Sequence, residues 1–403
     1  MPTLTLDDLH AWLEQRRRDG QVTYDPQQRT VAVLGHPETL AVLGDAATYS
    51  SDLDELTPDQ EDFELFQRGN FVRMDPPRHD MLRRLAGQAF TPRVVANLEP
   101  RIVEVTEGLL EARRGERGFD LIEDLAYPLP VIVIAELLGI PAEDRPLFRS
   151  WADRLFERDD AGPDESLPQL ANEEAVAALA PAIREMNAYL LAHIRARRAA
   201  PGDDLTSRLV QAEADGARLS DEEIVGFVGL LLLAGHITTT ATLGNTVLCL
   251  DEHPSAGADV RADPALLPGA IEEVIRLRTP FPRLVRRATA DTELAGVGIP
   301  AGALVVPWLA AANRDERVFA EPDRFDPRRT PNPHLGFGHG LHFCLGAPLA
   351  RLEARVAMGI LLHRYADIAV DRARPASFRN PWVMVSPTSL PVAVTPADSM
   401  VGR

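Results

Sequence analysis

The sequence predicts a mainly α-helical fold with small β-sheets, built as one domain over all 403 residues. Helical apolar periodicity dominates two long stretches, 75–278 and 345–365. Segments rich in β-branched residues and bounded by turn residues gather in three others, 20–45, 280–310 and 380–396. No internal repeat or long linker divides the chain, so we expect one large core rather than several domains.

Composition and charge exclude several classes of protein. The formal net charge of −18 argues against a nucleic-acid partner, because phosphate binding requires a basic face. Two cysteines provide no disulfide framework, which is consistent with a reducing cytoplasm. The N-terminus lacks the basic and apolar regions of a signal peptide. The longest apolar run, 224–235, is well short of the roughly 20 residues that cross a bilayer, so we expect a soluble cytoplasmic protein without a membrane partner.

The first third of the chain combines a short sheet with a helix that carries two basic side chains. Residues 29–35 read as a strand with a partner near 21–24. Asp75 can cap the helix that follows, and His79 and Arg83 share one face of that helix at i and i+4. By itself such a pair is typical of an exposed basic face.

A long apolar helix is predicted from Ser220 to about residue 250. Ser220 and Glu223 form a capping box at its start, and apolar residues surround it, so we expect it to be buried. Gly235 and the three threonines soon after it are poor local choices for a helix interior. This weakness favours a ligand or a groove, whereas threonine hydroxyls bonded to carbonyls one turn earlier would be purely structural. Both interpretations stay open here, and Cys249 is predicted to be a small core residue.

The stretch 334–353 contains four glycines, one cysteine and the start of another helix. Dense glycines permit backbone angles and close approaches that a Cβ would forbid. Apolar residues repeat at helical spacing from Pro348 to Arg364, so Cys344 precedes a helix N-terminus, where a thiolate is stabilised. One interpretation is a buried cysteine beside a turn. The other is a thiolate that ligates a metal bringing its own remaining ligands, a description that haem fits.

The pattern Phe337-x-x-Gly340-x-x-x-Cys344-x-Gly346 resembles the haem-binding loop of the cytochrome P450 family. Further family motifs occur in the family's order near residues 75, 235, 273 and 324. The resemblance covers almost the whole chain and implies the cytochrome P450 fold, a single triangular domain with a long central helix above haem b.

The resemblance also implies roles for individual residues. Cys344 would be the axial ligand of the haem iron, and Thr238 would be the oxygen-activating threonine, with Thr239 beside it. The haem propionates would be held by His79, Arg83, Arg286 and His342, with Arg287 as the nearby alternative to Arg286. Further haem contacts are expected at Phe337, Gly338, Gly346, Ala234 and Gly235, where Phe337 would shield the thiolate from water. A buried structural network supporting the haem loop would consist of Glu273, Arg276 and Arg324.

The sequence departs from the family at one position. An Asp or Glu commonly precedes the oxygen-activating threonine and is thought to help pass protons to bound oxygen, but here the residue is Ile237. Water held by Thr238 or Thr239, or a hydroxyl group of the substrate, would then replace the usual proton route. His236 is interpreted as a structural residue that points away from the haem.

The activity implied by the resemblance is that of a haem-thiolate monooxygenase. Such an enzyme inserts one oxygen atom from O2 into a lipophilic small molecule, by hydroxylation or epoxidation. In its general sequence features the chain is similar to soluble actinobacterial members of the family that tailor polyketides and macrolides. The substrate pocket would be covered by a lid over residues 155–185 and lined by Phe227, Leu231, Pro282, Leu284, Val285, Trp382 and Val383.

Redox partners and two alternative functions complete the expectations. Electrons would come from NAD(P)H through a separate ferredoxin and ferredoxin reductase, and the protein would act as a monomer. A local basic dock for the partner, or an ordinary solvated face, is formed by Arg84, Arg328, Arg351 and Arg355. The alternatives are a catalytically idle relative that serves as a helper or binding protein, and an enzyme of oxidative coupling or desaturation.

Overall fold

Helices make up most of the structure, a computed structural model that describes residues 4–53, 61–87, 90–156, 173–214 and 217–397. The α-helices in chain order are α1 (Leu6–Asp19), α2 (His36–Gly44), α3 (Glu61–Gln67), α4 (Arg78–Gly87), α5 (Pro92–Ala96), α6 (Glu99–Glu111), α7 (Pro128–Leu138), α8 (Arg145–Phe156), α9 (Glu173–Ala199), α10 (Leu205–Gln211), α11 (Asp221–Glu252), α12 (Pro254–Ala262), α13 (Leu267–Leu277), α14 (Leu309–Ala312) and α15 (Ala347–Arg364). Short 3-10 helices lie at Phe71–Arg73, Ala142–Asp144, Pro264–Leu266 and Gly340–His342, and a π-helix lies at Ile122–Ala126. The predicted fold class, mainly α with small sheets, is confirmed.

The strands are short and form five small sheets within the described residues. They are β1 (Val22–Asp25), β2 (Thr30–Val33), β3 (Tyr49–Ser50), β4 (Gly118–Asp120), β5 (Glu213–Ala214), β6 (Ala217–Arg218), β7 (Arg286–Ala288), β8 (Thr292–Leu294), β9 (Val297–Ile299), β10 (Leu304–Pro307), β11 (Tyr365–Val370), β12 (Ser377–Phe378), β13 (Pro387–Ser389) and β14 (Pro391–Pro396). The largest sheet has the order β1-β2-β10-β7-β3, and a second has the order β11-β14-β4. Three two-stranded ribbons, β12-β13, β5-β6 and β8-β9, complete the set.

The largest sheet joins segments from both ends of the chain. Strand β10 pairs in parallel with β2, which places Val305 opposite Val31, and antiparallel with β7. The strands predicted near 21–24 and 29–35 are β1 and β2. Sequence periodicity gave no sign of β4, because its pairing partner β14 lies far away along the chain.

Helix α11 is the centre of the main core and packs against α7, α9, α13 and α15. The predicted capping box is present, since the Ser220 hydroxyl accepts the N–H of Glu223 while the Glu223 carboxylate accepts the N–H of Ser220. By length and apolarity α11 would qualify as a membrane span, but 78% of its most apolar stretch is buried inside the protein. Cys249 is buried on this helix, as predicted.

Two further features bear on the predicted pocket. Trp382 belongs to a separate core cluster that lies against α1, where it is buried with Leu9, Trp308 and Val385. The prediction that Trp382 lines a substrate pocket is therefore wrong. Of the predicted lid over 155–185, α8 and α9 supply the two ends, and residues 157–172 lie outside the described part of the chain.

A buried ion network connects α13 to the segment that leads into the cysteine loop (residues 334–346). Arg276 donates to both carboxylate oxygens of Glu273, at 2.5 and 3.0 Å, and to the carbonyls of Asn313, Pro322 and Arg324. The second cation on Glu273 is Arg329, whose Nε lies 2.8 Å from Oε1. The Arg324 side chain is 60% exposed and pairs with Glu321 instead. The prediction that its side chain completes the network is wrong, although its carbonyl takes part.

Replacing Arg329 with alanine should lower the free energy of unfolding by about 3 kcal/mol or more, because a buried carboxylate would lose one of its cations. Replacing Arg324 with alanine is the matched control and should cost less than about 0.5 kcal/mol, as for other exposed side chains. Urea unfolding of both variants measures the difference. Equal losses in the two variants would contradict the assignment of Arg329 to the network.

Candidate functional site: a buried thiol beside unpaired donors

The cysteine loop folds tightly because its glycines reach conformations that other residues avoid. Gly338 and Gly340 have φ angles of 71° and 67°, in the left-handed region that favours glycine. A Cβ on Gly340 would lie 2.5 Å from the carbonyl oxygen of Leu43, so α2 can pack directly against the loop. The N–H of Cys344 donates to the carbonyl of Phe337 at 2.8 Å, which closes the loop on itself.

Cys344 lies immediately before α15, as the sequence predicted. Burial raises the pKa of the Cys344 thiol, and backbone N–H groups of Gly346 and Ala347 offset only part of that effect. The helix start is therefore not enough to ionise the thiol, and a bound cation would be needed to hold it as a thiolate. No group of three His, Cys, Asp or Glu side chains in the described ranges could hold a metal ion. A metal bound to Cys344 would have to bring its other ligands.

A group of buried ring nitrogens lies beside the loop. The rings of His79 and His342 lie 4.5 Å apart, His79 Nδ1 bonds Asp80, and His79 Nε2 and both ring nitrogens of His342 have no hydrogen-bond partner among the described residues. Burial, together with the charges of Arg286 and His79, lowers the pKa of His342 to about 3. Buried polar groups are normally paired, so this arrangement requires an additional acceptor.

Two arginines complete this donor group. Arg286 is buried, its only described hydrogen bond goes to the neighbouring Val285 carbonyl, and burial lowers its pKa to about 10. Arg83 donates to the Phe343 carbonyl at 2.5 Å, close enough to Cys344 for the two charges to interact. Arg287, the alternative to Arg286, is more exposed and faces the carbonyl of Asp52. The residues present therefore fit a large anionic cofactor such as haem, whose carboxylates would meet these donors.

The threonine region of α11 is helical without a break from Asp221 to Glu252. The hydroxyls of Thr238, Thr239 and Thr240 donate to the carbonyls one turn earlier. These bonds agree with the purely structural interpretation of the threonines. Ala234 and Thr238 nevertheless retain exposure in the middle of a buried helix, so this face borders an open space.

The residues next to that exposed face, Gly235 and His236, pack against other parts of the protein. A Cβ on Gly235 would lie 3.1 Å from two side-chain atoms of Ile134, so this glycine allows α7 and α11 to approach closely. Its predicted role as a haem contact stays a prediction beside this role in helix packing. His236 is fully buried, its Nδ1 lies 2.6 Å from the Leu232 carbonyl, and its ring meets Tyr127 edge-on. Burial lowers the pKa of His236 to about 4, in agreement with a structural role.

Sequence analysis missed one acidic residue in the site, Glu353 of α15. Its side chain is buried, Oε2 has no partner among the described residues, and the hydroxyl of Thr239 is near enough to lower its pKa in part. Burial raises the pKa of Glu353 to about 8, so the carboxyl group is protonated at neutral pH. The available signal was that Glu353 is the one acid of α15 and lies beside the apolar Leu352.

The predicted pocket residues divide into two groups. Phe227 is fully buried against Phe71, with ring centroids 5.7 Å apart, and Leu284 packs on the cluster that contains Leu309. Phe227 is a core residue, so its assignment to the pocket is wrong, whereas Leu284 is only partly buried and its assignment stays a prediction. Pro282 is buried as well, and its carbonyl accepts the N–H of Ala310. Leu231 is buried too, at 7% exposure, and partial exposure is retained by Val285 and Val383.

Three of the four arginines predicted as a basic dock are already paired with acids. Arg328 bonds Asp259, and Arg355 bonds Glu99. Arg351 forms two hydrogen bonds with Glu272. This face is therefore less basic than its arginines suggest.

The chain matches known proteins over nearly its whole length. It is 41% identical over 398 residues to cyclomarin C epoxidase CymV of Salinispora arenicola, covering 97% of this chain and 98% of that protein. It is 45% identical to erythromycin C-12 hydroxylase of Saccharopolyspora erythraea, covering 88% and 87%. A solved structure of a P450 EryK mutant in complex with erythromycin B has a TM-score of 0.88 at 42% identity, covering 97% of each chain. The family model for Cytochrome P450 matches residues 8–392, and the chain belongs to that family.

Proposed function

We propose that this cytochrome P450 is a haem-thiolate monooxygenase that oxygenates a lipophilic, macrocyclic natural product by hydroxylation or epoxidation. The observation that carries the proposal is the half-buried Cys344 of the glycine-rich loop beside buried ring nitrogens of His79 and His342 that have no partner among the described residues. Relatives named as an epoxidase and a hydroxylase of natural products support the reaction class. Electrons would come from NAD(P)H through a separate ferredoxin and its reductase.

Bound haem supplies the iron centre at which O2 is activated. Cys344 would ligate the iron, and a thiolate ligand favours cleavage of the O–O bond. Arginine suits carboxylate binding, and His79 Nε2 and both ring nitrogens of His342 have no partner among the described residues. The propionates would therefore be held by Arg286, Arg83, His79 and His342. Phe337, next to the loop's closing hydrogen bond, would shield the ligand from water.

Replacing Arg286 with glutamine should make the protein lose haem about ten- to a hundredfold faster, because one charge-assisted hydrogen bond is worth about 1.5–3 kcal/mol. Arg287→Gln is the matched control, since that side chain is adjacent in sequence and more exposed. Transfer of haem to apomyoglobin, followed by its absorbance, measures the rate. Faster loss in the Arg287 variant than in the Arg286 variant would reverse the assignment.

Glu353 is proposed as the proton reserve that replaces the acid missing at position 237. Ile237 is buried and apolar and offers no proton. The protonated Glu353 lies near the hydroxyl of Thr239, whose neighbour Thr238 borders the open space beside α11. With water in that space, a proton could pass from the Glu353 carboxyl by way of the Thr239 hydroxyl toward that space.

Glu353→Gln should reduce the share of NADPH electrons recovered in product by at least about tenfold, the remainder appearing as hydrogen peroxide. Thr239→Val should have the same effect, and the double variant should add little, because both residues act in one path. Thr240→Val is the control, since Thr240 is a buried, back-bonded threonine one position along. Full coupling in Glu353→Gln would exclude this route.

The protonation of Glu353 can be checked separately by the pH dependence of stability. The folded protein holds this proton up to a pKa of about 8, whereas the unfolded chain releases it near 4.5. Stability is therefore lost as the pH rises through this window, by an amount on the order of a few kcal/mol. In urea unfolding, the free energy of unfolding of Glu353→Gln should rise relative to that of the wild type between pH 5 and about 8.5. A difference in free energy that does not change with pH would show that Glu353 is ionised in the folded protein.

Turnover of a library of macrocyclic natural products tests the activity itself. The purified protein is supplied with NADPH, a surrogate ferredoxin, its reductase and ¹⁸O-labelled O2. Products that carry one labelled oxygen atom are expected. Products that lose hydrogen without gaining the label would indicate coupling or desaturation, and binding without turnover would indicate a helper protein.

A further inference from the structure

A cation is held flat against the aromatic ring of the cysteine loop. The guanidinium carbon of Arg351 lies 4.5 Å from the ring centroid of Phe337, within the range of a cation–π interaction. Its Nε and Nη2 each donate to Glu272 at 2.7 Å, one to each carboxylate oxygen. This bidentate geometry fixes the plane of the guanidinium, which a single hydrogen bond would not do.

Glu272 is itself fixed from the other side. His334, at the start of the cysteine loop, places Nε2 2.9 Å from Glu272 Oε2, and its ring lies 6.0 Å from that of Phe337. Burial would raise the pKa of Glu272, but hydrogen bonds from Arg351 and His334 hold it at about 2. The carboxylate is therefore charged at all physiological pH values, and α13, α15 and the cysteine loop meet at this one group.

Phe337 connects this pair to Cys344. Arg351 lies on the ring of Phe337 and belongs to the first turns of α15, the helix that follows Cys344. The Phe337 carbonyl also accepts the N–H of Cys344, so movement of Phe337 would move the ligand.

We propose that Glu272 and Arg351 form a positioning pair that fixes Phe337 beside the Cys344 ligand and sets the reduction potential of the haem by opposed charges. A cation near the haem stabilises the reduced state and raises the potential, whereas a nearby anion lowers it. When the two charges are paired, their net effect on the potential is small. The inference depends on the proposed haem-thiolate function. It assigns a role in electron acceptance to two residues that otherwise resemble a surface salt bridge.

Redox titration of the purified holoenzyme tests the pair, because the two charges predict shifts of opposite sign. Glu272→Gln leaves Arg351 uncompensated and should raise the potential, whereas Arg351→Gln leaves Glu272 uncompensated and should lower it. Both groups are partly exposed, at 40% for Arg351 and 27% for Glu272, so each shift should be about three- to tenfold in the equilibrium constant for reduction, or at most about 59 mV. Arg351→Lys keeps the charge without the planar stack and should shift the potential less than Arg351→Gln.

Shifts of the same sign in Glu272→Gln and Arg351→Gln would point to a general loosening of the loop and overturn the proposal, as would unchanged potentials. If Arg351→Gln fails to retain haem, the sign of the Glu272→Gln shift decides alone. Arg355→Gln, a paired arginine one turn further along α15, is the matched control and should leave the potential unchanged. A wild type that binds no haem would instead refute the proposed function.

Discussion

The architecture around the cysteine loop depends on one buried cation, Arg276. Its guanidinium has no exposure to solvent, and it bonds Glu273 together with three backbone carbonyls of the segment 313–324. A buried charge is tolerated only when it is fully paired, so this segment cannot leave α13 without stranding the charge. The side chain of Asn313 then ties the segment to the cysteine loop. The position of Cys344 is thereby set by α13 as well as by the loop's own glycines.

The buried polar groups of the site are of two kinds. His79 Nε2 and the ring nitrogens of His342 are buried without a hydrogen-bond partner among the described residues, at a cost of about 1–3 kcal/mol for each such group. An anionic cofactor would remove that cost, so cofactor binding and stability are linked at this point. Glu353 avoids the cost of a buried charge by keeping its proton. The same low-polarity interior therefore favours anion binding on one side and proton storage on the other.

Features of the structure that depend on residues close together in the chain could be predicted from the sequence. The capping box at Ser220 and the helix that follows Cys344 both occur where predicted, because each depends on neighbours within one turn. The choice between Arg324 and Arg329 could not be predicted, since it depends on which arginine of one segment turns toward Glu273. For the same reason Glu353 was missed, because its burial is created by helices distant in sequence.

The measurement that tests the central claim most directly is the absorbance spectrum of the dithionite-reduced protein with carbon monoxide. Ligation of iron by the Cys344 thiolate predicts the red-shifted Soret band that distinguishes haem-thiolate proteins from those with a neutral axial ligand. The variant Cys344→Ala should lack that band even where it still retains haem. A wild-type spectrum without the red-shifted band, in protein that holds its full complement of haem, would contradict the account.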